Sequence, residues 1–544
     1  MAQNQQGAPG GQPYDNNQIQ QPKQQFTDQS PYLQPRYADE PEYQFQPQGS
    51  KKKAKSSKLS AILPLFITVV LFGALGYLGY RILFYTPSAP PVEDKKSGDE
   101  LNEDDIANEA SIVDRSDGSN CSNFDSYKDS IFSSVSTPRK WMLIGKEFSD
   151  DQKSMVVSGA MTQEYAAASD GIKNFHIRAE VVDQGVKVEL AQKEGDTKAY
   201  QGKINFDTVT PGIQKARIYI VSSCGYAYSE TKDVYVSYPV YVAWTLDHEG
   251  KNFPYAYLQS IDNIAKKHNN MPITHFYNPR TFVSSAVNQQ FAAQNLAWVK
   301  ARQQNHGDTI GLHLHMFFDM VRAAGVEPKT APAWGWNSND GYDVLVSGYN
   351  HDELTQIITW SKQLFAEKGL PEPKIFRAGG WHATTDTLII LEDNGFVADS
   401  SGRSRFTSSD PEQGLGRHNI PFPWILSTTT QPYRPTYYSQ NDSSGFGDEL
   451  MTLWEFPNNG LDSTDSNGTA PILFSYFKEN YPNLGQPIDK RTTVNFLSHP
   501  DYFNIDAPKI DGLFTQIDPY LYDRDAGPVM YVQLDYLYDV YENH

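Results

Sequence analysis

The feature that most constrains this chain is an apolar run that ends on three ionisable side chains. Residues 235–244, YVSYPVYVAW, are rich in β-branched and aromatic side chains, which is typical of a buried strand. Asp247, His248 and Glu249 follow shortly after it. Charged groups close a buried strand where they face a cleft, and α/β folds place their sites at the carboxyl ends of parallel strands. The pattern therefore predicts a functional site here, with an ordinary acidic turn as the alternative reading.

Residues 236–544 repeat this alternation of extended and helical patterns. Asn350 precedes one predicted helix as a candidate N-cap, and Glu353 stands where a capping box requires an acid. Repeated βα units over this length predict an α/β fold built on a parallel barrel. Extended segments are predicted at 273–277, 309–315, 374–377 and 494–498, and helices at 256–267, 284–302, 351–368 and 384–394.

The first 120 residues show a different pattern. Residues 1–58 are rich in Gln, Pro, Asn and Tyr and end in a lysine-rich stretch, which predicts a disordered tail. Residues 59–84 contain an uncharged stretch long enough to form about 33 Å of helix, which predicts a single transmembrane helix. The lysines before it predict a cytoplasmic N-terminus, and residues 85–120 form an extended linker. We therefore expect a single-pass protein of the cell membrane, with the lipid bilayer as a partner and the C-terminal domains outside the cytoplasm.

Residues 121–235 contain short alternating segments separated by turn dipeptides such as Asp-Gly and Pro-Gly. This spacing predicts a small β-sandwich domain. Cys121 and Cys224 are the two cysteines of the chain, and in an oxidising compartment they are expected to form a disulfide. Two buried free thiols are the alternative. Glycan binding and a plain spacer both stay open as the role of this domain.

The composition argues against two classes of function. The formal net charge of −19 argues against a nucleic-acid partner, because binding to phosphates needs a basic face. Two cysteines without a Cys/His cluster argue against a cysteine zinc site and a cysteine nucleophile. The aromatic content of 13% fits a surface that stacks on sugar rings, although large cores use aromatic residues too.

Three more predicted strands end on reactive side chains. His313 and His315 stand two apart, on one side of an extended segment, so both imidazoles can reach one metal ion. Another strand ends on Arg377, which is followed by two glycines and Trp381, and the last ends on His499. An acidic cluster, a histidine pair, an arginine and a further histidine, each just past a separate strand, predict one composite site.

Together these stretches resemble the polysaccharide deacetylase family, the NodB-homology domain of carbohydrate esterase family 4, over residues 236–544. The resemblance implies a distorted (β/α) barrel. PYRPTY at 432–437 and LWEFP at 453–457 also resemble segments of a subgroup that carries a GxHxH histidine motif. The five motifs that carry the family resemblance are TLDHEG at 245–250, GLHLH at 311–315, FRAGGW at 376–381, DSSGRS at 399–404 and LSHPDY at 497–502.

The resemblance implies a metal site with a general base beside it. Asp247 takes the position of the base, and Glu249, His313 and His315 take the positions of the metal ligands. His248 stands where a commoner form of the motif has its metal carboxylate, so it is an alternative ligand. Two histidines and one carboxylate imply a divalent metal, with Zn²⁺ as the expected ion.

The resemblance also implies roles around this metal. Arg377 would keep the base ionised, His499 would protonate the departing amine, and Asp399 would keep that imidazole charged. Backbone N–H groups near Gly380 and Trp381 would hold an oxyanion. Aromatic candidates for sugar stacking, with burial in the core as the alternative for each, are Trp334, Trp336, Trp381 and Tyr433.

These roles describe a metal-dependent deacetylase that removes N-acetyl groups from a cell-wall or exported polysaccharide. The commoner family pattern spaces its two histidines four residues apart, but Phe317 stands four residues after His313. Therefore either His315 is the second ligand, as in the GxHxH variant, or the site has only one histidine. Two alternative functions also stay open. One is a non-catalytic glycan-binding protein on the same scaffold, and the other is an O-acetyl esterase.

Overall fold

The computed structural model of the protein describes residues 119–121, 124, 130–162, 175–334, 339–404, 423–464 and 469–544. The predicted tail at 1–58, the predicted transmembrane segment at 59–84 and nearly all of the predicted linker at 85–120 lie outside these ranges.

The membrane placement expected from the sequence is contradicted. Among the residues just given, no helix is both long enough and apolar enough to cross a bilayer. The longest of these helices, Gln289–His306, has 18 residues and contains Lys300 and Arg302, whose charges are costly in a bilayer core. The single-pass localisation in the cell membrane, and the lipid bilayer as a partner, are therefore withdrawn.

Two sheets form the N-terminal part. One has the strand order β1-β3-β7-β6, and the other has the order β2-β10-β8-β4-β5, with β9 also paired to β8. Nearly all of these pairs are antiparallel, and the β2–β10 pair is parallel. Their strands are β1 (Phe132–Ser136), β2 (Trp141–Leu143), β3 (Ser154–Met161), β4 (Phe175–Val181), β5 (Val186–Glu189), β6 (Ala191–Gln192), β7 (Ala199–Asn205), β8 (Gly212–Ser222), β9 (Gly225–Tyr228) and β10 (Lys232–Ser237).

The two sheets share one apolar core. Met155 and Val157 of the first sheet cluster with Ile177, Ile218 and Ile220 of the second. The alternation of buried and exposed residues along β3 is what directs its apolar side chains into this core. The predicted disulfide between Cys121 and Cys224 is confirmed, and it links two positions with a sequence separation of 103.

The C-terminal part is a mixed α/β structure with one parallel sheet. In the described residues this sheet has the order β16-β15-β14-β13-β12-β11-β17, with β18 also paired to β11. β11 is buried along its whole length, which explains its continuous apolar sequence. The strands are β11 (Val240–His248), β12 (Thr274–Tyr277), β13 (Thr309–Leu314), β14 (Ile375–Ala378), β15 (Ala398–Asp399), β16 (Trp454–Glu455), β17 (Thr492–Ser498) and β18 (Val529–Val532).

Helices follow most of these strands, as the βα alternation predicts. Asn350 caps α4, and its reciprocal contacts with Glu353 form the predicted capping box. The predicted helix at 284–302 begins later, at Gln289, because Asn288 accepts a hydrogen bond from Phe291 N and caps it there. The helices are α1 (Tyr255–Lys267), α2 (Gln289–His306), α3 (Phe318–Ala323), α4 (His351–Glu367), α5 (Thr385–Asp393), α6 (Ala470–Asn480), α7 (Phe503–Ile517) and α8 (Leu534–Asn543).

The parallel sheet curls into a barrel-like shape. Arg377 on β14 and Asp247 on β11 are three strand spacings apart, which is about 14 Å in a flat sheet. Nevertheless, Arg377 Nη1 lies 2.8 Å from Asp247 Oδ1. The inner faces of the two strands must therefore turn toward each other.

An irregular segment bridges the two edges of the curled sheet. In this segment, residues 458–463, Asn458 N donates to Gly402 O at 2.6 Å on one side. On the other side Gly460 N donates to Asn495 O at 2.9 Å, and Asp462 forms a parallel bridge with Leu497 of β17. We call this segment the seam.

Candidate active site

The end of β11 places two carboxylates on one face of the strand and an imidazole on the other. Asp247, His248 and Glu249 are only 2%, 1% and 3% exposed. Because side chains alternate along a strand, Asp247 and Glu249 share a face. His248 points the other way: its ring stacks on Tyr277 at 4.9 Å, and its Nε2 lies 3.2 Å from His275 Nδ1. Among the described residues, the group placed to hold a metal ion does not include His248, so the geometry does not favour the alternative that made it a ligand.

Glu249 meets the histidine pair of β13. Ligand atoms of Glu249, His313 and His315 all lie within 4.8 Å of one another, and all three side chains are buried. His315 Nε2 lies 2.9 Å from Glu249 Oε2, and His313 Nε2 lies 3.6 Å from Glu249 Oε1. This triad is placed to bind a metal ion.

The outer nitrogens of both histidines are engaged by backbone carbonyls. His313 Nδ1 lies 3.0 Å from Arg377 O, and His315 Nδ1 lies 2.9 Å from Tyr342 O. A carbonyl oxygen only accepts, so each Nδ1 must carry the hydrogen. In the neutral imidazole this leaves a lone pair on each Nε2, which is the tautomer that a metal ligand needs.

This tautomer explains why the three residues fit a cation. The lone pair of His315 Nε2 faces a carboxylate oxygen of Glu249, and His313 Nε2 is buried with no hydrogen-bond partner. Buried lone pairs that face each other are unfavourable unless a cation lies between them. Two imidazoles and one carboxylate, with further positions open, are the donor set of catalytic zinc sites.

The two glycines after Arg377 make room for this site. A Cβ on Gly379 would lie 2.6 Å from His315 Nδ1, so a larger residue would displace the imidazole. Gly380 adopts a φ of +62°, and a Cβ there would lie 2.7 Å from Trp334 Nε1. Glycine suits this left-handed position because other residues are strained there.

Arg377 holds the predicted base in place. It is fully buried, and its Nη1 donates to Asp247 Oδ1 at 2.8 Å and to Thr245 Oγ1 at 2.9 Å. Its remaining donors bind Ser400, with Nε on the carbonyl oxygen at 2.8 Å and Nη2 on the hydroxyl at 2.7 Å. The guanidinium is thus fixed in orientation and compensates the buried charge of Asp247.

His499 lies between two carboxylates at the start of the loop after β17. Its Nε2 is 3.3 Å from Glu249 Oε1, and its Nδ1 is 3.6 Å from Asp462 Oδ1. Burial alone lowers the pKa of His499, but Asp462 and Glu249 outweigh burial and hold that pKa well above the ordinary value. Burial raises the pKa of Asp462, but His499 outweighs it and lowers that pKa to about 2. The geometry therefore favours a charged imidazole beside the triad.

The partner of His499 differs from the one expected from the sequence. Asp399 accepts hydrogen bonds from Ser401, from Oγ at 2.7 Å and from N at 3.0 Å, and its strand neighbour is Glu455. The seam instead brings Asp462 to His499, because Asp462 forms its parallel bridge with Leu497, two residues before His499. Asp462 is therefore the carboxylate that lies beside His499 in the place expected for Asp399.

The predicted aromatic residues are not all available for stacking. Tyr433 donates its hydroxyl hydrogen to Gln440 O at 2.5 Å and packs against the main core. Trp381 also packs on that core, and Arg403 lies over its ring at 3.9 Å. Trp334 is half-buried beside Gly380, with its ring 5.7 Å from that of Tyr342. Trp336 lies outside the described residues.

Sequence reasoning missed Asp462 and Tyr342. Asp462 lies in NNGLDS, a stretch without strand or helix periodicity, and Tyr342 lies in the loop NDGYD. Tyr342 stacks on His315 at 4.0 Å with an angle of 6° between the rings, in addition to its carbonyl contact. Only the curled sheet brings these loops to the strand ends, so no local pattern could have identified them.

The chain has low sequence identity and low structural similarity to the known proteins with which it was compared. No protein-family model matches the chain, and no curated protein matches it. Among solved structures, it is similar to a Mycobacterium smegmatis protein described as a candidate polysaccharide deacetylase, at 15% identity and a TM-score of 0.33, over 55% of this chain and 89% of that one. It is similar to the peptidoglycan deacetylase PdaC from Bacillus subtilis at 12% identity and a TM-score of 0.27, over 56% and 93% of the two chains.

A third similar structure is a pseudoenzyme of carbohydrate esterase family 4 from Bacillus anthracis, at 13% identity and a TM-score of 0.27, over 56% of this chain and 66% of that one. The residue roles proposed below rest on the geometry already described, and the GxHxH subgroup stays a prediction. The first two of these structures are described as deacetylases of polysaccharide or peptidoglycan, and the third as a protein of carbohydrate esterase family 4. The motifs of the chain resemble that family.

Proposed function

We propose that this protein is a metal-dependent deacetylase that hydrolyses the N-acetyl groups of a polysaccharide. The observation that supports this most strongly is the convergence of Glu249, His313 and His315 on one point. Asp247 lies on the same face of β11 as Glu249, and His499 lies 3.3 Å from Glu249. Hydrolysis of an amide needs an electrophilic centre, a base and an acid, and this cleft contains residues suited to each.

We assign the metal-binding role to Glu249, His313 and His315, and we expect Zn²⁺. When bound, such an ion would polarise the acetyl carbonyl and lower the pKa of a water molecule. Side chains of the protein then accept and donate the protons. Asp247 accepts a proton from the attacking water, while Arg377 keeps the carboxylate oriented toward the cleft.

His499 completes the reaction on the amine side. Water adds to the acetyl carbonyl carbon, the C–N bond breaks, and acetate is released. The sugar nitrogen leaves as an amine and takes the proton from His499, which Asp462 keeps charged. Backbone N–H groups at Gly380 and Trp381 are the proposed donors to the oxyanion.

The two-sheet part is proposed to be a separate small β-sandwich domain at residues 121–235. Its sheets share one core, and this core contains residues of that segment. The catalytic domain is then residues 236–544. The sheet changes between β10, which ends at Ser237, and β11, so the change lies just after the proposed boundary.

Metal removal and restoration test the proposed reaction. The purified protein is treated with a chelator, single divalent metals are added back, and acetate release is measured from N-acetylated and O-acetylated glycans. We expect restored release from the N-acetylated glycans, and the Asp247→Asn variant should bind metal but lose turnover.

Asp352→Asn is the matched control, because this exposed carboxylate lies on α4. It should leave acetate release as it is. Metal-dependent release from O-acetylated glycans alone would identify an esterase. Absence of release from every glycan would contradict the proposed reaction and favour a glycan-binding protein.

A further inference from the structure

One wall of the cleft is a stack of three side chains. Tyr342 lies flat on His315, with ring centroids 4.0 Å apart. Lys251 Nζ lies 3.6 Å from the centroid of the same tyrosine ring. A ring and an ammonium group cannot both occupy the space above one face, so they cover opposite faces of Tyr342. Neither face is left to stack on a neutral sugar.

The stack presents a positive charge at the rim of the site. Lys251 is half-buried and follows Glu249 by two residues. Among the described residues, no carboxylate oxygen lies within 4.0 Å of its ammonium group, so its contact there is with an aromatic face. The chain has a net charge of −19, yet Lys251 has no ion-pair partner in the part of the chain that the structure describes.

Asp501 lies close enough to Lys251 for the lysine charge to influence its pKa. Burial and the charge of Glu249 raise the pKa of Asp501 to about 6, and Lys251 acts in the opposite direction. Asp501 Oδ1 is buried without a hydrogen-bond partner, so the lysine does not extend to form a hydrogen-bonded pair with that oxygen. The ammonium group keeps its position over Tyr342 instead.

Resting on the proposed deacetylase function, we propose that Lys251 forms a subsite for an anionic substituent of the glycan. The substituent is a carboxylate or a phosphate on the acetylated sugar or on its neighbour. The ammonium lies one aromatic ring away from His315, so the anion and the reacting acetamide can be held by one short oligosaccharide. The substrate class is therefore an acidic N-acetylated glycan.

The test compares three forms of one N-acetylated oligosaccharide: carboxylated, phosphorylated, and neutral after reduction of the carboxyl group. We expect the wild-type protein to have a higher kcat/KM for an anionic form than for the neutral form. Lys251→Gln should reduce this preference about fivefold, through KM rather than kcat, and Lys251→Arg should retain it. The preference should also fall with added salt.

The matched control is Lys478→Gln, which removes another lysine that lies over an aromatic ring, 5.7 Å from the centroid of Phe474. It lies in the last turn of α6, which leads to the start of β17, and the site lies at the opposite end of the strands. This variant should keep the wild-type preference. Equal kcat/KM for the anionic and neutral forms, or an unchanged preference in Lys251→Gln, would overturn the subsite.

A binding measurement tests the proposed anion subsite independently of the proposed reaction. Calorimetry of the Asp247→Asn variant with the same oligosaccharides should show tighter binding of an anionic form, and the additional Lys251→Gln change should remove the difference. If no glycan releases acetate but this difference is present, the reaction is wrong and the subsite stands. Equal affinity for all forms, or no binding of any, overturns the subsite.

Discussion

At the scale of single residues, the site depends on which ring nitrogen of each histidine already has a hydrogen-bond partner. His313 and His315 bind backbone carbonyls through Nδ1, so Nε2 of each is directed at Glu249. The i, i+2 spacing of the two histidines was sufficient to predict a shared side of the strand. The carbonyl partners come from β14 and from a loop, so the sequence pattern could not identify them.

Asp462→Asn tests the partner assigned to His499. The carboxylate of Asp462 raises the pKa of His499 against the effect of burial, so its removal lowers that pKa. His499 must carry a proton to protonate the amine. The alkaline limb of the kcat–pH profile should therefore move to lower pH. An alkaline limb at the wild-type position would contradict the assignment. Metal affinity, measured in parallel, should change little because Asp462 is not among the donors.

Gly379→Ala tests the packing behind the metal ligand. The new Cβ would lie 2.6 Å from His315 Nδ1, so the imidazole must move and its contact with Tyr342 O must weaken. We expect metal affinity to fall about 10- to 100-fold, the range typical of lost outer-shell support. Titration with Zn²⁺ or Co²⁺ measures this fall, and urea unfolding checks that the fold persists. Wild-type affinity in a folded variant would show that His315 does not need this space.

At the scale of elements, β15 and β16 bring two carboxyl groups together. The strands pair in parallel with Asp399 opposite Glu455, and both side chains are completely buried. Burial, and then the charge of Asp399, raise the pKa of Glu455 well above its ordinary value. Glu455 Oε1 accepts from Gly402 N at 2.8 Å, so the proton belongs on Oε2, which otherwise has no partner.

Because of this pair of carboxyl groups, we expect the free energy of unfolding to depend on pH. An acid with a raised pKa in the folded state stabilises the fold below its unfolded-state pKa, and this contribution is lost as pH rises through the folded value. Stability should therefore fall as pH rises from about 4.5, the ordinary value for Glu455. Glu455→Gln should remove part of this fall. In urea unfolding, the variant should lose less of its unfolding free energy between acidic and alkaline pH than the wild-type protein. Glu367→Gln, at an exposed position, should keep the wild-type dependence, and equal behaviour of the two variants would contradict the pair.

The elements that were predicted well are those with a strong local signal. The capping box at Asn350 and Glu353 fixed the start of α4, and the buried apolar runs located β11, β13 and β17. α7 was missed because Pro508 lies inside it and interrupts the helical pattern. β15 and β16 have two residues each, too short for a period-two signal.

At the scale of the whole molecule, one disulfide closes a loop that includes strands β1 to β8 of the two-sheet part. The Cys121–Cys224 bond spans 103 residues. In the chain-entropy model, a loop of that length contributes about 4–5 kcal/mol to the free energy of unfolding. Replacing both cysteines by serine, or reducing the wild-type protein, should lower the unfolding free energy by that order. Metal affinity should be unchanged, and equal stability with and without the bond would contradict this account.

The α/β character of residues 236–544 could be predicted from periodicity alone, and five strand-end motifs indicated where the site would lie. The curl of the sheet could not be predicted, because it depends on long-range contacts such as Arg377 to Asp247 and on the seam. The same contacts bring Asp462 into the site. The residues that sequence reasoning missed are those positioned by tertiary contacts rather than by a regular strand.

The residues of the site differ in how the fold holds them in place. The proposed metal ligands lie in or directly after β11 and β13, two strands of a continuous hydrogen-bonded sheet, whereas Asp462 lies on an irregular connector. A one-residue insertion or deletion in that connector would move Asp462 and leave Glu249, His313 and His315 where they are. We expect such a change to abolish the proposed hydrolysis and to leave the proposed binding of the metal ion and of the glycan intact, although the altered residues are far from the metal ligands in the sequence.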